Sequence, residues 1–329
     1  MVKKTLIAAS AISLSALMLS ACGGNSQAGS DSGSDSLTMG FAQVGAESGW
    51  RTANTKSIQE TAKADGVKLK FTDAQGKQEN QISAIRSYIQ QKVDVIAFSP
   101  VVETGWDAVL QEAKAANIPV ILTDRAVDSD PSLYKTFLGS DFVVEGTKAG
   151  EWLVQNAGDA DTNGDGAIDV VQLEGTTGAA PAIDRGKGFA DAIKADPSIK
   201  VVASQTGDFT RDGGKQVMES FLQSQKHIDV LFAQNDDMGL GAIEAIKAAG
   251  LTPGKDVKII TVDAVHDGMQ ALADGEINYI VECNPLLGPQ LMDLAKKVTA
   301  GDDVPARVLT KETTFTQDQA KEALPDRQY

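Results

Sequence analysis

Seven apolar, β-prone runs in this chain are each followed by a short polar group, and those groups share one chemistry. After the first run come Glu47, Ser48, Trp50 and Arg51, and after 118–123 come Asp124 and Arg125. After 168–173 a Gly/Thr-rich loop leads to Asp184 and Arg185, and after 199–205 come Asp208 and Phe209. Asn235, Asp236 and Asp237 follow 228–233, Asp263 follows 257–262, and Glu282 and Asn284 close the run 277–282. Carboxylate, amide and guanidinium groups offer paired donors and acceptors, which hydroxyl groups require. The aromatic faces of Trp50 and Phe209 suit the C–H faces of a sugar ring. The set points to recognition of a small polyol rather than to catalysis. Asp236 and Asp237, the pair a secreted glycosidase would need, are adjacent and cannot flank a glycosidic bond from opposite sides. The two histidines, His227 and His266, lack the neighbours of a triad or zinc site and are expected on the surface or in loops.

The elements that must position these groups alternate. Strand-like runs at 67–71, 93–99, 118–123, 168–173, 199–205, 228–233, 257–262 and 277–282 are separated by helical patterns. In one of them Ile82, Ile85 and Ile89 share a face. Near-continuous apolar strands between helices indicate parallel sheets covered on both sides. Such sheets bind ligands beyond their strands' carboxyl ends, where the polar groups lie. There are too many strands for one sheet of ordinary size, so the fold class expected is α/β, with two Rossmann-like parallel-sheet lobes split near residue 140.

The chain has 329 residues, 42% of them hydrophobic and 23% charged, as expected of a globular α/β protein with two real cores. Its amino terminus reads as a secretory signal. Lys3 and Lys4 precede an apolar run that ends Leu19-Ser20-Ala21-Cys22, a lipobox that would make Cys22 the lipid-bearing first mature residue. The Gly/Ser/Asp-rich residues 23–36 form a tether of roughly 20 Å. Losing Lys3 and Lys4 takes the net charge from −15 to −17, which argues against nucleic acid and against adhesion to anionic lipid. The lipid itself must hold the protein to the extracytoplasmic face of the cell membrane. With Cys22 in the anchor, Cys283 is left alone and no internal disulfide is possible.

Residues 161–169 carry EF-hand spacing, with Asp161, Asn163, Asp165, the Ala167 carbonyl and Asp169 as oxygen ligands and Gly166 at the sixth position. Position 12 is Gln172, so the bidentate glutamate is missing. A structural Ca²⁺ is the expected cofactor.

The segments VILTDRAVD (120–128), GTTGAAPAIDRGKGF (175–189), GDFTR (207–211), AQNDDMGLGAIEAI (233–246) and ITVDAVHDG (260–268) resemble the periplasmic-binding-protein family of sugar ABC importers, in its ribose/galactose cluster. GAESGWR (45–51), QGKQENQISAIRSY (75–88) and SPVVETGW (99–106) look like the galactofuranose-binding and fructose-import branch. The resemblance implies the type I periplasmic-binding-protein fold, with an N-terminal lobe of 37–140 plus 283–306 and a C-terminal lobe of 141–282 plus 307–329. It implies that Asp124, Arg125, Arg185, Asn235 and Asp263 hold sugar hydroxyls and that Trp50 and Phe209 sandwich the ring. Glu47, Ser48, Arg51 and Ser140 match first-lobe pocket positions. Glu282 stands near where ribose binders use a glutamine, and Arg51 replaces an aromatic, so a pocket more polar than the ribose type is implied. By resemblance to galactose-binding relatives, the last calcium ligand is Asp229. The expected protein is a monomeric, lipid-anchored solute-binding component, not an enzyme. It passes a monosaccharide, with fructose in its furanose ring favoured, to the transmembrane subunits of an ABC permease. A sugar-responsive repressor shares the fold but would need a helix-turn-helix where the lipobox stands. A binding protein for a furanosyl signalling molecule is the remaining alternative.

Overall fold

The computed structural model describes residues 36–329; the signal, Cys22 and residues 23–35 of the tether lie outside the described residues. Among the described residues no helix is long and apolar enough to cross a membrane.

The first lobe is built from β1 (Thr38–Gln43), α1 (Gly49–Ala64), β2 (Lys68–Asp73), α2 (Gln78–Gln90), β3 (Val95–Phe98), α3 (Asp107–Ala115), β4 (Val120–Thr123) and β5 (Thr136–Gly139). The second holds α4 (Phe142–Gln155), α5 (Ala157–Ala160), β6 (Ile168–Glu174), α6 (Ala180–Ala192), β7 (Ile199–Thr206), α7 (Arg211–Ser224), β8 (Val230–Ala233), α8 (Asp236–Ala248), β9 (Lys258–Asp263), α9 (His266–Ala273) and β10 (Tyr279–Glu282). The chain then returns through α10 (Gly288–Ala300), β11 (Arg307–Leu309), β12 (Thr314–Phe315) and α11 (Gln317–Ala323). All eight strand-like runs named from the sequence form strands, and Ile82, Ile85 and Ile89 lie on α2 against the core.

Two six-stranded sheets result, in the orders β11-β5-β4-β3-β1-β2 and β12-β10-β9-β8-β6-β7. Pairing is parallel except between β10 and β12. Strand order reverses at β1 in one sheet and at β6 in the other, and a parallel sheet opens for a ligand at such a switch point. Each sheet is covered on both faces. In the first lobe Ile96, Phe98 and Leu122 meet Ile85, Trp106 and Leu110, while Met39, Phe41 and Ile121 meet Ile58, Leu291 and Met292. In the second, Leu231 and Ile259 meet Met218 and Ile246, and Val170 and Phe232 meet Leu153 and Phe189.

The cleft-facing loops double as helix caps. Ser48 Oγ accepts the Arg51 amide at the start of α1, Thr210 Oγ1 that of Gly213 at α7, and Asn235 Oδ1 that of Met238 at α8. Helix α4 lies backbone-to-backbone on α6. A Cβ on Gly146 would sit 2.1 Å from the Arg185 carbonyl oxygen, and one on Gly188 2.1 Å from that of Val143. This approach brings Glu145 of α4 against Arg185 of α6.

Three segments join the lobes: Ser140-Asp141 after β5, 283–287 after β10, and 310–313 between β11 and β12. The expected boundary at 306/307 is corrected on one point. β11 pairs with β5, with Arg307 opposite Phe137, so 307–309 belong to the first sheet. The physical reason is that α10 packs on α1 and returns the chain beside β5, whose edge would otherwise be unpaired.

Candidate functional site

Between the lobes, at the carboxyl ends of both sheets, lies a narrow cleft. Its lining is Glu47, Ser48, Trp50, Arg51, Asp124 and Arg125 on one side, and Pro181, Arg185, Phe209, Asn235, Asp263 and Cys283 on the other side and floor.

The first-lobe groups form one chain of ion pairs. Arg51 donates from Nε to Glu47 Oε1 at 3.1 Å, from Nη1 to Ser99 Oγ at 3.3 Å and from Nη2 to Asp124 Oδ2 at 2.6 Å. Arg125 Nη2 donates to the same Glu47 oxygen at 3.1 Å. Both arginines are only 2% exposed. Burial pushes the Glu47 carboxyl upward, but the two guanidiniums outweigh it and hold Glu47 below the usual carboxylate range. Burial, reinforced by Arg51, draws Arg125 down to about 10. The second lobe repeats the device. Arg185 donates to Glu145 Oε2 at 2.7 Å and to the Gln234 carbonyl at 2.6 Å, and its Nη2 lies 3.8 Å from Asp263 Oδ1. Burial pushes Glu145 up to about 8 against the pull of Arg185, and raises Asp263 well above its ordinary value.

Backbone strain gathers here. Asp124, Asp208, Phe209, Asp263 and Ala264 have φ of 60°, 55°, 61°, 123° and 66°, a region side chains other than glycine enter at a cost. The lobes also touch across the cleft. The Gly49 amide, at the positive end of α1, donates to Asp237 Oδ2 at 2.7 Å, and the Glu103 amide donates to the Gly178 carbonyl at 2.9 Å. Arg125 lies 5.3 Å from the centre of the Phe209 ring. Trp50 Nε1 donates to the Cys283 carbonyl at 2.7 Å.

Ten of the twelve residues expected around a ligand therefore line the cleft. Ser140 and Glu282 do not. Ser140 Oγ bonds Glu312, and Thr310 Oγ1 and Cys283 Sγ lie 3.3 Å from it, within the lobe-joining segments. Glu282 accepts from Thr313 N at 3.0 Å and from Arg327 and Tyr329 at 2.9 Å each, behind the cleft. Alternation along a strand explains the error: if Glu282 points back, its neighbour Cys283 faces the cleft. Pro181 was also missed, and nothing in its local sequence marks it. Asn235 lines the cleft while its amide also donates to the Phe209 carbonyl at 3.1 Å. Asp236 is structural: it accepts from Thr261 Oγ1 at 2.5 Å and Val265 N at 2.8 Å, and burial pushes it up to about 7.

The 161–169 loop folds on its own donors. Asp161 accepts the amides of Gly164, Asp165 and Gly166 at 2.7, 3.2 and 2.9 Å, and Asp165 Oδ1 that of Ala167 at 2.9 Å. Asp229 lies against the loop. One oxygen meets Thr162 N, Thr162 Oγ1 and His227 Nε2 at 2.8–2.9 Å, and the other accepts Asp169 N at 2.9 Å. It joins the loop to the start of β8. His227 is partly exposed and His266 exposed. Among the described residues, the one group of three His, Cys or carboxylate side chains that converges closely is Glu145, Cys283 and Glu312. There Glu312 already accepts from Ser140, Thr310 and the Asn284 amide.

The model of the periplasmic binding protein domain matches residues 39–303. The galactofuranose-binding protein YtfQ of Escherichia coli (strain K12) is 49% identical over 293 residues, 88% of this chain and 90% of that protein. The fructose import binding protein FruE of Bifidobacterium longum (strain NCC 2705) is 37% identical over 319 residues, 95% and 94% of the two chains. A crystal structure from Mycobacterium smegmatis in complex with β-D-fucofuranose superposes with a TM-score of 0.86 at 69% identity, covering 89% of this chain and 96% of that one.

Glu145 generates a pH prediction. Its carboxyl holds a proton more tightly folded than unfolded, so its contribution to stability is complete below the ordinary value of 4.5 and is lost as pH rises through about 8. Denaturant unfolding is expected to show the unmutated protein losing stability across that window relative to Glu145→Gln. Parallel profiles for the two proteins would show that Glu145 ionises normally in the fold.

Proposed function

Since the chain belongs to the periplasmic binding protein family, whose members are extracytoplasmic binding proteins and not enzymes, we propose that it captures a neutral monosaccharide in furanose form and delivers it to an ABC permease. The observation that carries this reading is how the guanidiniums of the cleft are partnered. Arg51 and Arg125 are answered by Glu47 and Asp124, and Arg185 is hydrogen-bonded by Glu145 and the Gln234 carbonyl. Each guanidinium already has oxygen partners, which leaves no bare cation to attract a carboxylate or phosphate. What remains available are lone pairs and N–H groups, with Trp50 and Phe209 as walls, the requirements of a ring bearing hydroxyls. The relative at 49% identity, named for galactofuranose, and the one at 69%, solved in complex with fucofuranose, favour an aldose; FruE at 37% keeps fructose as the second reading.

The lobe-joining segments act as the hinge. Ligand bridging the two arginine clusters favours the closed arrangement in which Gly49 meets Asp237. Titration calorimetry with D-fucose, D-galactose, L-arabinose, D-fructose and D-galacturonate tests the reading. A neutral sugar is expected to bind and galacturonate is not. Asp124→Ala, which strands Arg51, is expected to weaken binding by about a hundredfold or more. Affinity within about threefold of the unmutated protein would contradict the assignment.

Two further parts of the proposal concern attachment and metal. Cys22 carries the lipid, so the full-length protein partitions into the detergent phase and Cys22→Ser into the aqueous phase; equal partitioning would remove the anchor. Calcium occupies the 161–169 loop through Asp161, Asn163, Asp165, the Ala167 carbonyl and Asp169, with Asp229 as the last ligand, as a structural ion. Gln172 in place of the bidentate glutamate places its affinity near the weak extracellular class, about 10⁻⁴–10⁻³ M. The melting temperature is expected to rise on adding millimolar calcium to EDTA-treated protein; identical melting in both would exclude the ion.

A further inference from the structure

Asp263 reaches the cleft from two successive residues with positive φ, 123° at Asp263 and 66° at Ala264, neither of them glycine. Such a turn persists only where its surroundings over-determine it. Here the restraints come from behind. Val265 N donates to Asp236 at 2.8 Å, His266 N to the Tyr329 carbonyl at 2.6 Å, and Cys283 N to the Asp263 carbonyl at 3.1 Å. The remaining restraint is Arg327, whose Nε donates to the Ala264 carbonyl at 2.6 Å.

The same guanidinium is linked to the hinge through Glu282. Arg327 Nη1 donates to Glu282 Oε1 at 2.9 Å and Nη2 to Tyr329 Oη at 2.5 Å, while Tyr329 Oη donates to Glu282 Oε1 at 2.9 Å. Glu282 Oε2 accepts the amide of Thr313, in the last lobe-joining segment, at 3.0 Å. Arg327 is packed 4.1 Å from the centre of the Tyr329 ring and 5.3 Å from that of Phe315. Three of the N–H donors of its rigid fork are thus divided between the strained turn that carries Asp263 and the Glu282–Tyr329 pair, and Glu282 in turn holds Thr313 of a lobe-joining segment.

We propose that Arg327, with Glu282 and Tyr329, is a positioning assembly that fixes the Asp263 carboxylate in the cleft and ties it to the hinge, so that contact with ligand at Asp263 is felt by the lobe-joining segments. None of the three lines the cleft. The proposal rests on Asp263 being a ligand contact. A lysine at 327 can keep the charge pair with Glu282 but cannot hold the Ala264 carbonyl at the same time. Phenylalanine at 329 keeps the ring against Arg327 and deletes both hydrogen bonds of the hydroxyl.

The test measures D-fucose affinity by calorimetry for the unmutated protein and for Arg327→Gln, Arg327→Lys and Tyr329→Phe, with amide hydrogen exchange of the sugar-free proteins. A protein still folded at the assay temperature binds with its native affinity however much stability it has lost, so affinity separates positioning from scaffolding. Both Arg327 variants are expected to weaken binding about tenfold, and Tyr329→Phe less. Exchange is expected to rise at 258–266, 282–287 and 310–314 but not in β6 or β8. Affinities within about twofold for both Arg327 variants, or a rise in exchange spread over the whole lobe, would overturn the proposal. Should the Arg327 variants fail to fold, Tyr329→Phe decides, and unchanged affinity there overturns it. Should the unmutated protein bind no sugar, the furanose reading fails. The exchange pattern then decides the assembly alone, a confined rise supporting it and no rise or a general one refuting it.

Discussion

Three guanidinium groups held almost out of reach of water set the terms for the rest of this molecule. Arg51, Arg125 and Arg185 are 2%, 2% and 3% exposed, and a buried charge is tolerated only when paired and hydrogen-bonded. Glu47 serves two of them from one oxygen, Asp124 fixes the first, and Glu145 fixes the third. The lattice is largely complete before any ligand arrives, so the ligand meets donors and acceptors already aimed. Pre-organisation of this kind reduces what binding must spend on ordering side chains.

The fold supplies that lattice by repetition. Each sheet reverses its strand order once, and each reversal opens a crevice at the carboxyl ends of its strands. Facing the two crevices puts polar loops from both lobes on one small volume. The glycines of α4 and α6 let Glu145 reach Arg185, and the capping side chains of α1, α7 and α8 set where the cleft loops turn into helices. Positive-φ residues at Asp124, Phe209 and Asp263 then turn these side chains inward.

Much of this was legible from pattern. Apolar strands with polar groups at their ends revealed the alternation, the two lobes and ten of the cleft residues, because burial on both faces leaves an unbroken apolar run that ends abruptly. What failed was short or distant. β11 and β12 have three and two residues, too few to show a period, and β11 crosses back to the first sheet for reasons of edge pairing that only the third dimension contains. Choosing Glu282 over Cys283 was an error of one step along a strand, made because charge is a stronger signal than a thiol. Glu145, whose partner lies forty residues away, gave no local sign of its part in holding Arg185.

The central claim is that one neutral furanose ring lies between Trp50 and Phe209, its hydroxyls shared between the arginine clusters of the two lobes. A crystal structure of the protein with bound D-fucose tests it directly. The account predicts a five-membered ring in the cleft within hydrogen-bond distance of Asp124, Arg125, Arg185 and Asp263 together. A sugar bound to one lobe alone, or outside the cleft with the arginine pairs undisturbed, would contradict it.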